Sequence, residues 1–421
     1  MSIFVSCGEV SGDLYAAGLI RELLNPELFR EPALSGALPE PSEKIWGMLG
    51  PRGVAAGGAA VWSYEELKLM GFMEVLPAIP RILRLRGRVV NEILRRRPAA
   101  AVVIDSPDFH ISLAKKLRKA GYRGLIVFLV TPTVWAWRGG RTKWLRDVFD
   151  LCLPLFSFEH DFLIARGVRS RWAAHPLVEA LAGCKAPPEL ESRYRGERVI
   201  ALMAGSRRYD IKNHLAQLLE TAKLLRSERP GPGSGSGKTL LPVFSVAPGL
   251  SEPLRREVLE RTAGLGFESW DGEGRELMAL SEAVAGVSGT VAVEAMLLRR
   301  FMVVIYNVRG LAWLITRALV RTPYISIPNC LSGAPLFPEL LNEPRPERIV
   351  RELHAYLDDP SRKAETDRRM ETAKNAMGST RAAAFWARAI IDELRRRIPG
   401  PEAPEPRTPP YSRTLKEEQN S

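Results

Sequence analysis

Short apolar runs, each closed by a turn bearing glycine, serine or aspartate and followed by a helical pattern, recur along this chain in two series. In the first series Ser2 to Cys7, Ala100 to Asp105 and Leu125 to Val130 read as strands. Helical patterns run from about Leu14 to Leu24 and from about Phe109 to Ala120. Runs that are apolar throughout are buried on both faces. With helices between them they predict a parallel, doubly wound α/β sheet. The alternation loosens from His175 to Gly196, where Pro187, Pro188 and many charges mark a linker. It then restarts at Val199 to Met203, Leu240 to Val246, Phe267 to Trp270, Ala283 to Val287 and Met302 to Tyr306. Two α/β halves are therefore expected, residues 1–182 and 183–378, facing a substrate cleft.

A last helical pattern, residues 379–398, carries Phe385, Trp386, Ala389, Ile390 and Leu394 and must dock on something. Residues 229–238 and 399–421 lack apolar periodicity and read as disordered. The insertion ends in GSGSGKT, like a phosphate loop. Pro232 stands where such a loop needs its first glycine, so ATP binding there is not expected.

Composition narrows the function classes. The four cysteines, Cys7, Cys152, Cys184 and Cys330, show no CxxC pairing, and the five histidines no HExxH spacing. Neither a protein-bound metal nor another cofactor is expected. The apolar stretch from Leu125 to Trp137 is broken by Thr131, Pro132 and Thr133, short of the roughly 18 residues that a membrane helix needs. The first residues, MSIFVSCGEVSGD, lack a basic n-region, so a cytoplasmic protein is expected. A net charge of +12 suits nucleic acid, anionic lipid or a phosphorylated substrate, or is only an arginine-rich surface.

In a doubly wound sheet ligands bind beyond the carboxyl ends of the strands, so the turns there hold the candidates. After the first strand, Gly8-Glu9-Val10-Ser11-Gly12-Asp13 permits close backbone approach, and the following helix offers free N–H groups to an anion. Its GxxxG spacing is not the dinucleotide GxGxxG; it reads equally as a tight turn capped by Ser11 or Asp13. In Asp105-Ser106-Pro107-Asp108, Ser106 can cap the next helix, and Asp108 in its first turn suits the helix dipole. Asp105 remains, as a general base facing the cleft or as a turn-stabilising acid. The loop Thr131 to Arg138 carries Trp135 and Trp137, which suit either sugar rings and acyl chains or a packed interface.

In the second half, Ala204-Gly205-Ser206-Arg207 opens a helix and can cradle a diphosphate, with Arg207 countering its charge. Ser288-Gly289-Thr290 opens another helix, and Glu294 lies one turn in, placed to accept from ribose hydroxyls. A nucleotide-diphosphate site is expected there. Leu67 to Arg97 joins an apolar stretch, Leu69, Met70, Phe72, Met73, Leu76 and Ile79, to seven arginines from Arg81 onward, among them Arg84, Arg86 and Arg88. Such a segment is either a membrane-surface contact or a core-facing helix with a basic outer face.

These segments, in this order, resemble the lipid-A-disaccharide synthase family. The resemblance rests on GEVSGD (8–13), LGPRG (49–53), LKLMGFMEVL (67–76), IDSPDF (104–109) and TPTVWAWR (131–138). It continues through AHPLVEA (174–180), AGSRRYDI (204–211), VSGTVAVEAM (287–296) and PYISIPNCLSG (323–333). It implies a GT-B fold of two Rossmann-like domains, with the C-terminal helix docking back on the first. It implies an inverting transfer from UDP-2,3-diacylglucosamine to 2,3-diacylglucosamine 1-phosphate, lipid X, giving the β-1,6-linked disaccharide 1-phosphate and UDP. By the same resemblance Asp105 is the base, Arg207 and Asn329 are catalytic or donor-site residues, and Glu294 is the ribose ligand. Gly205, Ser206, Ser288, Gly289 and Thr290 complete the UDP site, and Glu9, Ser11, Gly12 and Asp13 lie on the acceptor side. Ala204 replaces the family's proline, Asp210 its glutamate, Ala174 the glycine before His175 and Pro176, and Leu336-Phe337 its smaller aliphatics.

The implied partners are the two lipid substrates and an anionic membrane, with peripheral attachment at the inner membrane. Nucleic acid is not expected, and a homodimer is left open. Other readings are a different UDP-sugar enzyme of this fold, such as a peptidoglycan glucosaminyltransferase or a UDP-sugar epimerase, and a basic nucleic-acid-binding protein. The last lacks the interleaved aromatic motifs of RNA-binding modules.

Overall fold

The computed structural model describes residues 2–29, 45–67, 75–136, 138–227, 239–307, 322–342, 344–379 and 381–397, with 75–78 by backbone alone. Leu69, Met70, Phe72, Met73, Trp137, the 229–238 insertion and the tail lie outside the described residues, as does the side chain of Leu76. The chain divides into two compact units. One holds the described residues up to Pro176 and those beyond Thr380; the other runs from Leu177 to Ser379. The division falls at Pro176, earlier than the residue 182 expected.

The first unit is a six-stranded parallel sheet built from β1 (Ile3–Cys7), β2 (Ile45–Leu49), β3 (Ala59–Ser63), β4 (Ala100–Ile104), β5 (Leu125–Leu129) and β6 (Leu151–Leu153). Their order is β3-β2-β1-β4-β5-β6. Every residue of β1, β4 and β5 is buried, and these three are plain in the sequence; β2 is buried throughout as well, but sequence reading passes over it. Sequence reading passes over β3, an edge strand on which only Trp62 is buried.

The intervening helices are α1 (Val10–Leu23), α2 (Pro51–Ala55), α3 (Val75–Arg96), α4 (Pro107–Lys119), α5 (Arg141–Val148) and α6 (Ser157–Ile164). α1 begins at Val10 rather than Leu14, so Ser11, Gly12 and Asp13 belong to its first turn and not to a loop. α3 runs through Pro80 and buries Leu85, Val89 and Ile93. Arg81, Arg84 and Arg88 stay on its exposed face beside Ile79 and Leu83.

The second unit holds β7 (Arg198–Met203), β8 (Leu240–Ser245), β9 (Glu268–Trp270), β10 (Ala283–Val287), β11 (Phe301–Tyr306) and β12 (Glu339–Leu341). All pair in parallel, in the order β12-β11-β10-β7-β8-β9. The expected linker folds in part into two short helices, α7 (Pro176–Ala180) and α8 (Pro188–Arg193). Further helices are α9 (Arg208–Ser227), α10 (Glu252–Ala263), α11 (Gly274–Leu280), α12 (Thr290–Leu297), α13 (Ile327–Ser332), α14 (Pro346–Leu357) and α15 (Pro360–Asn375).

The last helix, α16 (Ala382–Arg395), returns to the first unit. It buries Trp386, Ile390, Ile391 and Leu394. Trp386 meets the Tyr15 ring of α1 edge-on at 6.0 Å, and Arg381 pairs with Glu22 at 2.7 Å. Burying each large side chain contributes about 1.5–3 kcal/mol, so this seam is held by packing and the exposed ion pair adds little.

Candidate active site

In each sheet the strand order reverses at one point, and loops leaving the two strands there diverge to leave a ligand crevice. In the first unit that point lies between β1 and β4. The turns that meet there carry Gly8 and Asp105, whose strands end in register at Cys7 and Ile104.

Asp105 is built into this turn under constraint. Its φ is +53° and that of Ser106 is +41°, both in the left-handed region that side chains disfavour. Carboxylate Oδ1 accepts from the Gly8 N–H at 3.0 Å. Oδ2 is buried and has no hydrogen-bond partner. Burial raises its pKa from an ordinary 3.8 to about 7. Two glycines make room for the turn. A Cβ on Gly12 would stand 2.9 Å from Asp105 Cγ, and one on Gly8 would stand 2.6 Å from Ser106 Cβ. The GxxxG spacing thus seats an acid against the first turn of α1. Ser106 occupies the cap position of α4 with a left-handed backbone and makes no side-chain cap. Exposed Asp108 pairs with Arg138 at 3.3 Å and with Arg141.

The acceptor-side residues separate by role. Glu9 and Ser11 are exposed at the start of α1. Asp13 is buried, and its carboxylate accepts from the N–H groups of Gly50 (2.8 Å), Arg52 (2.9 Å) and Gly53 (3.1 Å). It thereby caps α2 from outside and ties the LGPRG segment to α1. Both oxygens are engaged by backbone, so its part is to shape the loop. Trp135 is held in the same way, its Nε1 donating to Glu159 at 2.9 Å and its ring edge-on to Phe158 at 4.8 Å. Burial pushes the Glu159 carboxyl up to about 7.

In the second unit the reversal lies between β10 and β7. It brings the 204–207 turn beside the 288–290 turn, the two segments expected to cradle a diphosphate. Gly205 has φ +99°, and a Cβ there would meet the Asp210 Cβ at 2.5 Å. Ser206, Arg207, Gly289 and Thr290 are exposed, and Ser288 is half-buried. The α9 and α12 amides that lack helical partners open onto this point, giving a cationic, donor-rich edge suited to an anion. Glu294 is half-buried; burial raises its pKa and neighbouring Arg275 opposes the rise.

Asn329 is 1% exposed and its carboxamide is fully engaged. Nδ2 donates to Phe337 O and Glu339 Oε1, and Oδ1 accepts from the N–H groups of Leu336 and Phe337, all at 2.8 Å. Its observed part is to fold the segment before β12, a constraint that explains why Leu336 and Phe337 are buried there. Of the basic segment, Arg86 departs from the outward set. It is half-buried and donates to Ser112 Oγ on α4, while exposed Arg88 pairs with Glu66 at 2.8 Å.

Sequence reading missed three polar residues at these edges. His110 bonds the Asp105 carbonyl at 2.8 Å. His214 lies 2.8 Å from the Asp210 carbonyl and accepts from the Asn307 N–H at 2.9 Å. Asn307 is 1% exposed, with neither carboxamide atom partnered. Neither histidine stands in a recognisable motif, and an asparagine ending an apolar strand gives no warning. Among the described residues no group of three or more His, Cys, Asp or Glu side chains is placed to hold a metal ion. No described helix is long and apolar enough to cross a membrane.

A family model described as lipid-A-disaccharide synthetase matches residues 3–389. The lipid-A-disaccharide synthase of Pseudomonas aeruginosa (strain UCBPP-PA14) is 35% identical over 408 residues, covering 94% of this chain and 99% of the relative. That of Myxococcus xanthus is 33% identical over 403 residues, covering 93% and 97%. Among solved structures, the S. aureus MnaA–UDP co-structure matches with a TM-score of 0.60 at 12% identity, covering 96% of this chain and 100% of that one. The Methanocaldococcus jannaschii UDP-GlcNAc 2-epimerase in complex with UDP-GlcNAc and UDP matches with a TM-score of 0.57 at 11% identity, covering 93% and 100%. At such identities the likeness bears on the fold alone, which is the two-domain α/β GT-B fold.

Proposed function

This chain belongs to the lipid-A-disaccharide synthase family, and on that premise we propose how its own residues carry the transfer. The enzyme joins UDP-2,3-diacylglucosamine to lipid X, forming the disaccharide 1-phosphate and releasing UDP. Asp105 is the general base. It takes the proton of the acceptor 6-hydroxyl as that oxygen bonds to the anomeric carbon of the donor. The bond from that carbon to the UDP oxygen breaks on the opposite face, so the configuration inverts. The observation that carries this reading is the Asp105 carboxylate, held at the β1/β4 reversal with one oxygen bonded and the other without a donor. A pKa near 7 suits a base that works at neutral pH.

The leaving diphosphate is met by Arg207 and by the helix amides at the 204–207 and 288–290 turns. Fixed dipoles and a guanidinium placed where charge develops supply the stabilisation. Glu294 accepts from the ribose hydroxyls. Asp13 and Asn329 hold the segments that shape the acceptor and donor sides. The basic face of α3, with Ile79 and Leu83 among its arginines, rests on anionic lipid at the inner membrane and keeps the enzyme beside its lipid substrates.

Mass spectrometry of products tests the reading. Purified protein given UDP-diacylglucosamine and lipid X is expected to yield the disaccharide 1-phosphate. Turnover of non-acylated UDP-N-acetylglucosamine, with none of the acylated donor, would assign the chain to another reaction.

A further inference from the structure

We infer that His110 is a positioning residue for the transfer: it clamps the Asp105 backbone in its left-handed turn and so aims the carboxylate. The inference rests on Asp105 being the base.

His110 lies in the first turn of α4 and is completely buried, edge-on to Phe109 at 5.4 Å and to Phe128 at 6.4 Å. Its Nδ1 is 2.8 Å from the Asp105 carbonyl oxygen. A carbonyl only accepts, so Nδ1 carries the hydrogen. Its Nε2 is 2.9 Å from Ser6 Oγ on β1. Burial holds the ring neutral, with a pKa near 4, so Nε2 is bare and the Ser6 hydroxyl donates to it. Both ring nitrogens are thus assigned: the Asp105 carbonyl fixes the tautomer, and the Ser6 hydroxyl on β1 satisfies the other nitrogen.

The contact matters because the helix leaves that carbonyl without a donor. The first-turn amides of Phe109 and His110 both reach Ser106 O, at 3.2 and 3.0 Å. On the other side the Asp105 N–H donates to Leu129 O at 3.2 Å. The Asp105 peptide is therefore gripped through its N–H by β5 and through its carbonyl by His110. Two successive non-glycine residues at positive φ persist only when the surroundings over-determine them. Released, the turn relaxes toward ordinary backbone and the carboxylate swings away from its seat over Gly12.

Steady-state kinetics with both lipid substrates, beside UDP affinity by calorimetry, test this on three variants. His110→Asn keeps a short side-chain N–H for the Asp105 carbonyl. His110→Gln reaches past it toward Ser6. His110→Leu keeps volume alone. The Asn variant is expected within about threefold of the parent kcat. The Gln and Leu variants are expected to lose roughly 10- to 100-fold in kcat, the scale of a misplaced catalytic group, with KM and UDP affinity little changed. Full kcat in the Gln variant, or an Asn variant as impaired as Gln, would overturn the inference. The Asn and Gln pair decides the matter even where the Leu variant does not fold. Asp105→Asn, measured alongside, separates the two ideas. If it retains activity the base assignment fails, and this inference with it. If it is inactive while the Gln variant is unimpaired, only the role of His110 is lost.

Discussion

The carboxylate of Asp105 sits directly against Gly12, so closely that a Cβ on residue 12 would overlap Oδ2 and stand 2.9 Å from Cγ. Another glycine of α1, Gly18, has room: a Cβ there would lie 3.4 Å from the Ala383 Cβ, ordinary contact. Gly12→Ala is therefore expected to reduce kcat at least ~100-fold by displacing the base. Gly18→Ala is expected to leave activity alone and to stabilise the protein by about 0.5–1 kcal/mol through its helix. Kinetics and thermal melts on the pair check this, and equal activity would show that the seat over Gly12 is not needed.

The raised Asp105 pKa makes a paired prediction about pH. The base works only when ionised, so kcat/KM should fall as pH drops through about 7. Stability runs the other way. An unfolded aspartate ionises near 3.8 while the folded one resists until about 7. The folded state is therefore disfavoured progressively between those values and fully above them. Asp105→Asn is expected to raise stability at pH 8 by about 1–3 kcal/mol and to leave it unchanged below pH 4. Melting midpoints across pH read this directly, and a stabilisation independent of pH would remove burial of charge as its cause.

Much of the site was legible because apolar, doubly buried strands announce where they end. β1, β4, β7 and β10 were all marked by such runs, and their ends carry Gly8, Asp105, Gly205 and Ser288. β3, exposed except at Trp62, and the three-residue β6 and β12 are passed over, and so is β2, although it is buried throughout. Roles were less legible than positions. The family resemblance alone puts Asp13 on the acceptor side and Asn329 at the donor or catalytic site. In the structure their side chains satisfy backbone amides brought close by the fold, and no local spacing encodes such a partner. His110 gives no signal either: its Ser6 partner meets it only when β1 and β4 pair, and its contact with the Asp105 carbonyl five residues back depends on a left-handed turn that no residue pattern announces.

Arg207 is expected to act on the diphosphate and not on the acceptor. Arg207→Ala should weaken UDP binding by roughly 1.5–3 kcal/mol, the worth of a charged hydrogen bond, with the KM for lipid X little altered. The parent enzyme should keep full activity in excess chelator. Calorimetry with UDP and assays with and without EDTA check both expectations, and an absolute requirement for Mg²⁺ would contradict the role given to Arg207.

The exposed arginines of α3 are expected to govern vesicle binding. Changing Arg81, Arg84 and Arg88 together to Gln should weaken flotation with anionic liposomes by about 3 kcal/mol at low salt, near 1 kcal/mol for each charge. Arg86→Gln serves as the control, because its guanidinium is turned to Ser112. Flotation unaffected by the triple change would return this face to a plain solvated surface.

The central claim is tested most directly by the turnover number of Asp105→Asn with UDP-diacylglucosamine and lipid X, read by mass spectrometry of the disaccharide 1-phosphate. The account predicts a fall of about 10²- to 10⁴-fold, with UDP affinity and folding intact. A variant that binds UDP, folds normally and turns over within a few-fold of the parent would contradict it.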